Sequence, residues 1–404
     1  MQKVLDRWRR QAEETEGLAL LGTALQMLDR FLYSAPLRAG GSLHVRDGTN
    51  VQNLLGSFVV ASLPCWLIGT WNLGEQTNFA LAQFGIDGAT GWRGAFLDAF
   101  GVGYDSLDVV ACFIHGLLYF VPMFVVALAT GAVCEALFAR LRRRPLDDGL
   151  LSIAWLYTLI LPATTPPLQV ALGMAFGIVV GKGIFGGMGR YLVNPSILGV
   201  AFLVFSYSSF IYGPGAWIPV PGYDEPTTIE LAVEEGGVPA LQSVGYEWWQ
   251  LFLGNQPGPI GITSILGCLL GAVYLIWVGT ASGRIMLGSL AGLIATVWLL
   301  NTFGPADDPM YAVPWTWHAV IGGWAFGTVF LATDPVAAAA TNPGRWGFGV
   351  IVGVLTVIVR VTNPAYYEGV IFAILLATVF SPLIDHVVVE RNIKRRRSRL
   401  EGAP

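Results

Sequence analysis

The sequence predicts an all-α polytopic membrane protein of about ten transmembrane helices, folded as two inverted five-helix repeats with broken half-helices. Three observations lead there. The chain of 404 residues is 54% hydrophobic and 12% charged, with a mean hydropathy of +0.59, too apolar for a water-soluble globule. Two stretches share short apolar segments broken by proline and then Asn-Pro: Leu161-Pro162-Ala163-Thr164-Thr165-Pro166-Pro167 leads to Asn194-Pro195, and Ala332-Thr333-Asp334-Pro335 leads to Asn363-Pro364. In each, a proline precedes two glycines at one spacing, Pro167, Gly173 and Gly177 in the first and Pro343, Gly349 and Gly353 in the second. Thirdly, the basic residues segregate, as set out below.

In chain order, residues 1–53 are polar, basic and helical in pattern, with no cleavable signal peptide, and read as a cytoplasmic N-terminal extension. A first five-helix repeat over 54–212 has spans near Leu54–Trp71, Val109–Phe138, Leu150–Leu161, Leu168–Val180 and Pro195–Tyr212. An acidic loop, 213–261, separates it from a second repeat over 262–384, with spans near Ile262–Val278, Ile285–Leu300, Trp317–Leu331, Trp346–Val359 and Gly369–Leu383. A basic tail covers 385–404. The third, fourth, eighth and ninth spans are the shortest and flank the duplicated breaks. Irregular backbone at membrane depth is tolerated only under a cover of protein or ligand, so interruptions at matching positions of two halves point to a small-molecule site near the midplane.

Orientation follows from the charges. Lys3, Arg7, Arg9, Arg10, Arg30, Arg38 and Arg46 precede the first span; Arg140, Arg142, Arg143 and Arg144 follow the second; Arg391 to Arg399 follow the last. With ten spans all three groups share one side, which places both termini in the cytoplasm. The 213–261 loop agrees, since it has no Lys or Arg but contains Asp224, Glu225, Glu230, Glu234, Glu235 and Glu247. An odd number of spans per half makes the second half inverted relative to the first.

The ionisable residues within or at the ends of the spans are Glu135, His115, Lys182, Asp334, Arg360 and Asp385, and such residues are costly there unless paired or functional. Glu135 and Asp385 lie near cytoplasmic span ends, where a carboxylate is a first stop for a hard cation; a snorkelled or salt-bridged end residue is the structural alternative. Asn194 and Asp334 belong to the breaks. There they either meet the polar edge of a small molecule, such as a flavin ring, or cap the half-helices.

Several chemistries are set aside by the sequence. The cysteines Cys65, Cys112, Cys134 and Cys268 all fall in apolar runs without metal-ligand spacing, which argues against a disulfide framework or an internal iron–sulfur site. The run Gly181-Lys182-Gly183-Ile184-Phe185-Gly186-Gly187-Met188-Gly189-Arg190 lacks the Gly-Lys-Ser/Thr ending of a P-loop, and close helix packing explains its glycines. No dinucleotide-binding domain is present, so the chain is not expected to bind NADH itself, and nothing points to nucleic acid.

At this point specific stretches match a known family. Ser42-Leu43-His44-Val45-Arg46-Asp47, Gly186-Gly187-Met188-Gly189-Arg190 leading to Asn194-Pro195, Pro314-Trp315-Thr316-Trp317-His318, Ala332-Thr333-Asp334-Pro335-Val336, Asn363-Pro364-Ala365-Tyr366 and the tail from Asp385-His386 to Arg395-Arg396 resemble the B-type subunit of the sodium-translocating NADH:quinone reductases. The related D-type subunit of the Rnf complexes shares the core but is usually shorter. The resemblance implies a sodium-pumping membrane complex of six subunits in the bacterial inner membrane. This chain would have five partner subunits, with electrons passing from NADH to ubiquinone. It implies one FMN attached as a threonine phosphoester by a flavin transferase, one non-covalent riboflavin, and a share of the quinone site.

By position the FMN acceptor is Thr227, although Asp224-Glu225-Pro226-Thr227 departs from the family's Ser/Thr-Gly-Ala-Thr; its loop, Gly222 to Ile229, reads as turn-rich and exposed. Thr228 and Thr90 are rivals, the latter because Asp87-Gly88-Ala89-Thr90 keeps Gly-Ala-Thr. The resemblance further makes Asn194 and Asp334 the riboflavin candidates and Gly131 a quinone-site candidate, with Ala132 replacing a second glycine. Two other readings are an Rnf-type D subunit and a non-redox transporter or channel with the same repeats.

Overall fold

A computed structural model describes residues 51–86, 88–143, 149–212, 215–223, 225–305, 308–363 and 368–401. The N-terminal extension up to residue 50 with its Ser42–Asp47 motif, Asp87, Arg144, Asp224 and Pro364–Tyr366 lie outside the described residues. The described residues form α-helices, two π-helical segments, one 3-10 turn and connecting loops, with no strand among them.

Two long helices open the bundle, α1 (Val51–Gln83) and, after the short α2 (Trp92–Ala99), α3 (Val109–Arg142). Asp108 starts α3 by accepting from the Val110 and Ala111 amides at 2.9 and 3.3 Å. The two helices touch backbone to backbone through glycine. A Cβ at Gly74 would lie 1.8 Å from the Cys112 carbonyl oxygen and one at Gly116 2.0 Å from that of Thr70. In lipid, where burial of apolar surface does not drive association, such close approach is a main source of helix attraction.

The chain then shortens its elements. Helix α4 (Leu150–Ile160) ends at the proline-containing break 161–166, and α5 (Pro167–Phe176) starts with Pro167 in the first turn, where its missing N–H costs nothing. At Gly177 the helix widens into a π-helical segment, Gly177–Gly183. Helix α6 (Pro195–Ser206) packs against it, with a hypothetical Cβ on Gly177 only 2.3 Å from the Pro195 carbonyl oxygen.

Residues 207–264 hold four short helices, α7 (Ser208–Ile211), α8 (Thr228–Glu235), α9 (Val238–Ser243) and α10 (Trp248–Leu253). The elements that follow are α11 (Ile265–Val278), α12 (Gly283–Phe303), α13 (Trp315–Val320), α14 (Trp324–Phe326) running into a second π-helical segment, Gly327–Leu331, then α15 (Asn342–Thr362) and α16 (Val370–Glu401). Among the described residues, five helices are long and apolar enough to cross a membrane: those within α1, α3, α12, α15 and α16. Four shorter apolar helices, Leu150–Ile160, Pro167–Gly183, Pro195–Ser206 and Ile265–Val278, accompany them.

Two expected spans are interrupted, the first being Pro195–Tyr212, which breaks at Tyr207 between α6 and α7. Trp317–Leu331 is not continuous, because Ile321–Gly323 interrupts it between α13 and α14, and Gly322 has φ +67, where a side chain would be strained. By contrast, Pro343, Gly349 and Gly353 sit on an unbroken helix, α15, and the interruption beside them is the loop 332–341 before it.

One connected core runs through the bundle from Phe58 to Ala377, and a small satellite of Ala80, Leu81, Ala216, Trp217, Ile218 and Val220 closes one end. That loop-rich end also brings the 161–166 break to the long loop, with Thr164 Oγ1 donating to the Ala216 carbonyl at 2.7 Å. At the opposite end Ser57 Oγ donates to Thr280 Oγ1 at 3.1 Å, and the loop 332–341 meets α16 through Asp385. This second end carries the basic tail of α16.

Candidate functional site

At the tail end the two sequence breaks come together. Asn194 Nδ2 donates to Asp334 Oδ2 at 2.6 Å, and Tyr191 Oη donates to the same carboxylate at 3.0 and 3.1 Å. Asn194 Oδ1 accepts from the Ser196 amide at 2.9 Å, capping α6, while Asp334 Oδ1 accepts from the Val336 amide at 2.8 Å. Capping and convergence are therefore both present. All three side chains are buried, and they lie in the loops that follow the two π-helical segments, Asp334 three residues beyond the second. Such segments are frequent at functional sites because they shift helix register locally. The carboxylate already accepts from protein donors on both oxygens, so any ligand group at this place would have to displace Tyr191 or Asn194.

Glu135 and Asp385 are each engaged separately. The Glu135 carboxylate pairs with the Lys182 ammonium, which comes from the first π-helical segment, and both are buried. Asp385 reaches from α16 to the start of α15, where it accepts from the Ala340 amide at 2.7 Å, the Thr341 amide at 3.0 Å and the Thr341 hydroxyl. A carboxylate at a helix N-terminus meets free N–H groups and a favourable dipole. Gly131, on α3, faces α4 and α5: a Cβ there would meet Leu150 Cδ1 at 2.5 Å and Met174 Cε at 2.8 Å, both flexible side-chain ends.

The loop-rich end holds the three threonines, and it departs from expectation. Thr227 is 3% exposed and Thr228 1%, so neither lies on an exposed turn. Thr227 caps α8 in a reciprocal box, its Oγ1 accepting from the Glu230 amide at 3.3 Å and the Glu230 carboxylate accepting from the Thr227 amide at 3.3 Å. Thr228 Oγ1 donates to Gln256 Oε1 at 2.7 Å. The space beside the two threonines is about 10 Å³, water-sized at most. Thr90 is exposed and opens onto a cavity of about 570 Å³, lined also by Arg93, Tyr119, Thr164, Thr165 and Tyr223.

Two features of this cavity bear on its chemistry. Arg93 lies with its Cζ 4.1 Å from the Tyr119 ring centroid and donates through Nε to the Leu118 carbonyl at 3.2 Å. Glu225 is turned aside: Tyr223 and Tyr246 each donate to it at 2.7 Å, and burial, reinforced by the adjacent carboxylate, raises both phenols. Both phenols therefore stay protonated near neutrality.

A further buried cluster was only partly visible in the sequence. Arg360, wholly buried on α15, donates through Nη1 to the His318 carbonyl at 2.7 Å, and Glu368 Oε2 accepts from the Gly323 amide at 2.9 Å. The two flank the Ile321–Gly323 interruption, since a Cβ on Gly322 would lie 2.9 Å from Arg360 Nη2 and 3.3 Å from Glu368 Oε2. Glu368 and Tyr191 were not anticipated, because both lie in connecting loops without a spacing signal.

Residues 39–394 match the model of the NQR2, RnfD, RnfE family. The B-type subunit of the Na(+)-translocating NADH-quinone reductase of Chromohalobacter salexigens is 42% identical over 374 residues, covering 93% of this chain and 90% of that protein. The proteins of the same name from Azotobacter vinelandii and Pseudomonas aeruginosa are each 40% identical over 376 residues, covering 93% of both chains. Five helices fit to cross a membrane, together with matches over nearly the whole length, make this a multi-pass membrane protein of the NQR2, RnfD, RnfE family.

Proposed function

We propose that the chain is the B-type membrane subunit of a sodium-translocating NADH:quinone reductase, carrying electrons through a covalent FMN and a riboflavin to ubiquinone, coupled to sodium export. The observation that carries this reading is the junction where Asn194 and Tyr191 meet Asp334, a buried donor–acceptor cluster beyond the ends of two π-helical segments. The relatives' name supplies the reaction class.

In this reading ten spans form two inverted five-helix sets, the short apolar helices and the divided segment 315–331 completing the five long helices. The basic tail of α16 lies in the cytoplasm with the N-terminus, in a bacterial inner membrane, and the loop-rich end faces outward. Asn194 and Asp334 hold the polar edge of riboflavin at the inner junction. The outer cavity, of ligand-pocket size and with both hydroxyl and cationic groups on its wall, fits the second flavin. By chain position alone its attachment point is Thr227, on the same long loop as Tyr223, and the capping box of α8 would have to release the Thr227 hydroxyl. Bound flavin supplies one- and two-electron redox chemistry; the residues named here orient it and keep water away. The neighbourhood of Gly131 contributes to the quinone site.

Glu135 and Asp385 are the first carboxylates that sodium meets from the cytoplasm, competing there with Lys182 and with the amides at the start of α15. NADH is bound by another of the five partner subunits, and a flavin transferase attaches the FMN. The test is flavin analysis of the purified complex. Riboflavin released by acid precipitation, together with flavin fluorescence that survives denaturing electrophoresis of this chain, supports the reading. Absence of both leaves a transporter or channel, whereas ferredoxin-linked activity without quinone reduction identifies an Rnf-type D subunit.

A further inference from the structure

We infer that the last turns of α16 are a docking helix for an acidic surface of a water-soluble protein; the inference rests on the reading above, which puts this end of the bundle in the cytoplasm. Reach, exposure and charge each point there.

Helix α16 runs from Val370 to Glu401 and continues through Pro382. At 1.5 Å per residue its 32 residues are about 48 Å long, whereas a hydrocarbon core of about 30 Å takes up roughly 20 of them. Asp385 marks the level at which the helix leaves the bundle, because it is tied to the Ala340 and Thr341 amides at the start of α15. From there Arg395 and Arg399 lie about 15 and 21 Å further along the axis. One headgroup layer is only about 5–8 Å deep, and charges are screened beyond about 8 Å at physiological salt. The far end of the helix therefore stands clear of the lipid, within reach of a protein in the water phase.

Every residue from Arg391 to Arg399 is exposed, so no described residue of this chain covers the helix there. Val389 and Ile393 share one of its faces, one turn apart, and are 46% and 45% exposed. Apolar side chains on a helix that projects into water gain by being covered.

The cations Arg391, Lys394, Arg395, Arg396, Arg397 and Arg399 crowd nine positions. Among the described residues one ion pair offsets them, Lys394 Nζ to Glu390 Oε1 at 3.6 Å. Arg391, Arg395 and Arg399 repeat every fourth residue and line one face, and like charges at that spacing weaken a helix. A surface of carboxylates removes this repulsion, and each guanidinium can take a carboxylate with two hydrogen bonds. Arg396 and Arg397 fall on other faces, at about 100° per residue. Cations on several sides, with an apolar stripe between them, suit an acidic groove in a protein better than a flat anionic membrane, which meets one side of a helix only.

The experiment uses the full chain within its complex in native membranes, with the photo-crosslinker p-benzoylphenylalanine in place of Ser398. After illumination, the crosslinked peptides are mapped by mass spectrometry. The expected result is a crosslink to a water-soluble protein of the same complex, at a peptide rich in Asp and Glu. The yield falls roughly tenfold in R391E/R395E/R399E and in about 0.5 M salt. Exchanging the carboxylates beside the crosslinked position of that protein for lysine restores it in the triple variant. The three side chains are exposed, so wild-type membrane yield and unfolding temperature separate loss of contact from loss of fold. A crosslink to phospholipid, to nucleic acid or to this chain itself overturns the inference, as does a yield unchanged by the triple substitution or no crosslink above background. NADH-driven quinone reduction by the same membranes tests the B-subunit reading separately. Activity without the expected crosslink removes the docking helix alone; the expected crosslink without activity removes the subunit reading alone.

Discussion

Asn194 and Asp334 stand 140 positions apart in the chain and 2.6 Å apart in space, amide nitrogen to carboxylate oxygen. The contact joins the loop after the first π-helical segment to the loop after the second. Each residue also caps or braces its own loop, Asn194 through the Ser196 amide and Asp334 through the Val336 amide. The pair thus couples the two halves of the bundle at the place where helical hydrogen bonding is interrupted.

Replacing Asp334 by Asn therefore tests structure and binding at once. The carboxamide presents N–H groups to donors that need acceptors, leaving one of Tyr191, Asn194 or Val336 unsatisfied, at a cost of about 1–3 kcal/mol in a buried setting. Thermal unfolding in detergent should show that loss, and acid-released riboflavin should fall below one per complex. Wild-type riboflavin with only the stability loss would mean that the cluster is a brace and the flavin lies elsewhere.

The Glu135–Lys182 pair makes a sharper prediction about ions. Removing one member of a buried pair costs about 3–5 kcal/mol, while replacing both by apolar residues of similar volume is close to neutral. E135Q should accordingly destabilise the protein and E135L/K182M should recover most of the loss. If Glu135 also serves sodium, E135Q raises the sodium concentration for half-maximal quinone reduction, and the stability-restored double variant does not recover it. D385N should raise it too. Unchanged sodium dependence in both single variants removes these carboxylates from the ion path.

What the sequence disclosed and what it concealed differ by the range of the interaction. Asn194 and Asp334 were legible because proline and Asx residues in apolar runs act locally, through missing N–H groups and side-chain caps. Tyr191 was not, since a tyrosine in a glycine-rich loop has no local signature. The turn-forming letters around Thr227 suggested exposure, but its neighbour is covered by Gln256, 28 positions away, which only the fold brings near. The break at Ile321–Gly323 was hidden for a related reason: the hydropathy of Trp317–Leu331 continues through it, and the groups that accompany it, Arg360 and Glu368, come from the far end of α15 and beyond. The π-helical segments were also invisible, as their glycines serve equally well for close packing.

Arg360 and Glu368 predict how that break is held. Arg360→Met removes the donor to the buried His318 carbonyl and takes a cation away from the neighbourhood of Glu368, so a loss of about 1–3 kcal/mol is expected. Arg360→Lys should restore little of it, because one ammonium does not reproduce the guanidinium's geometry. The measurement is unfolding temperature in nanodiscs together with yield in the membrane. Wild-type stability in R360M would show that the backbone of 321–323 holds its course without the charged flank.

Glycine at the α12–α15 crossing gives the most local test. A Cβ on Gly353 would lie 2.0 Å from the Ser289 carbonyl oxygen and 2.7 Å from the Leu293 amide nitrogen, both backbone atoms that cannot rotate away. Gly349 meets the Ile285 carbonyl at 2.3 Å in the same way. G353A must therefore push two membrane helices apart, and it should lower both membrane yield and unfolding temperature. G347A is the matched control on the same helix, since its nearest neighbour is Ile384 Cγ2 at 4.0 Å. There alanine gains up to about 1 kcal/mol of helix propensity over glycine and meets no backbone, so stability should hold or rise. If G353A and G347A behave alike, the two helices do not approach as closely as the glycine contacts require.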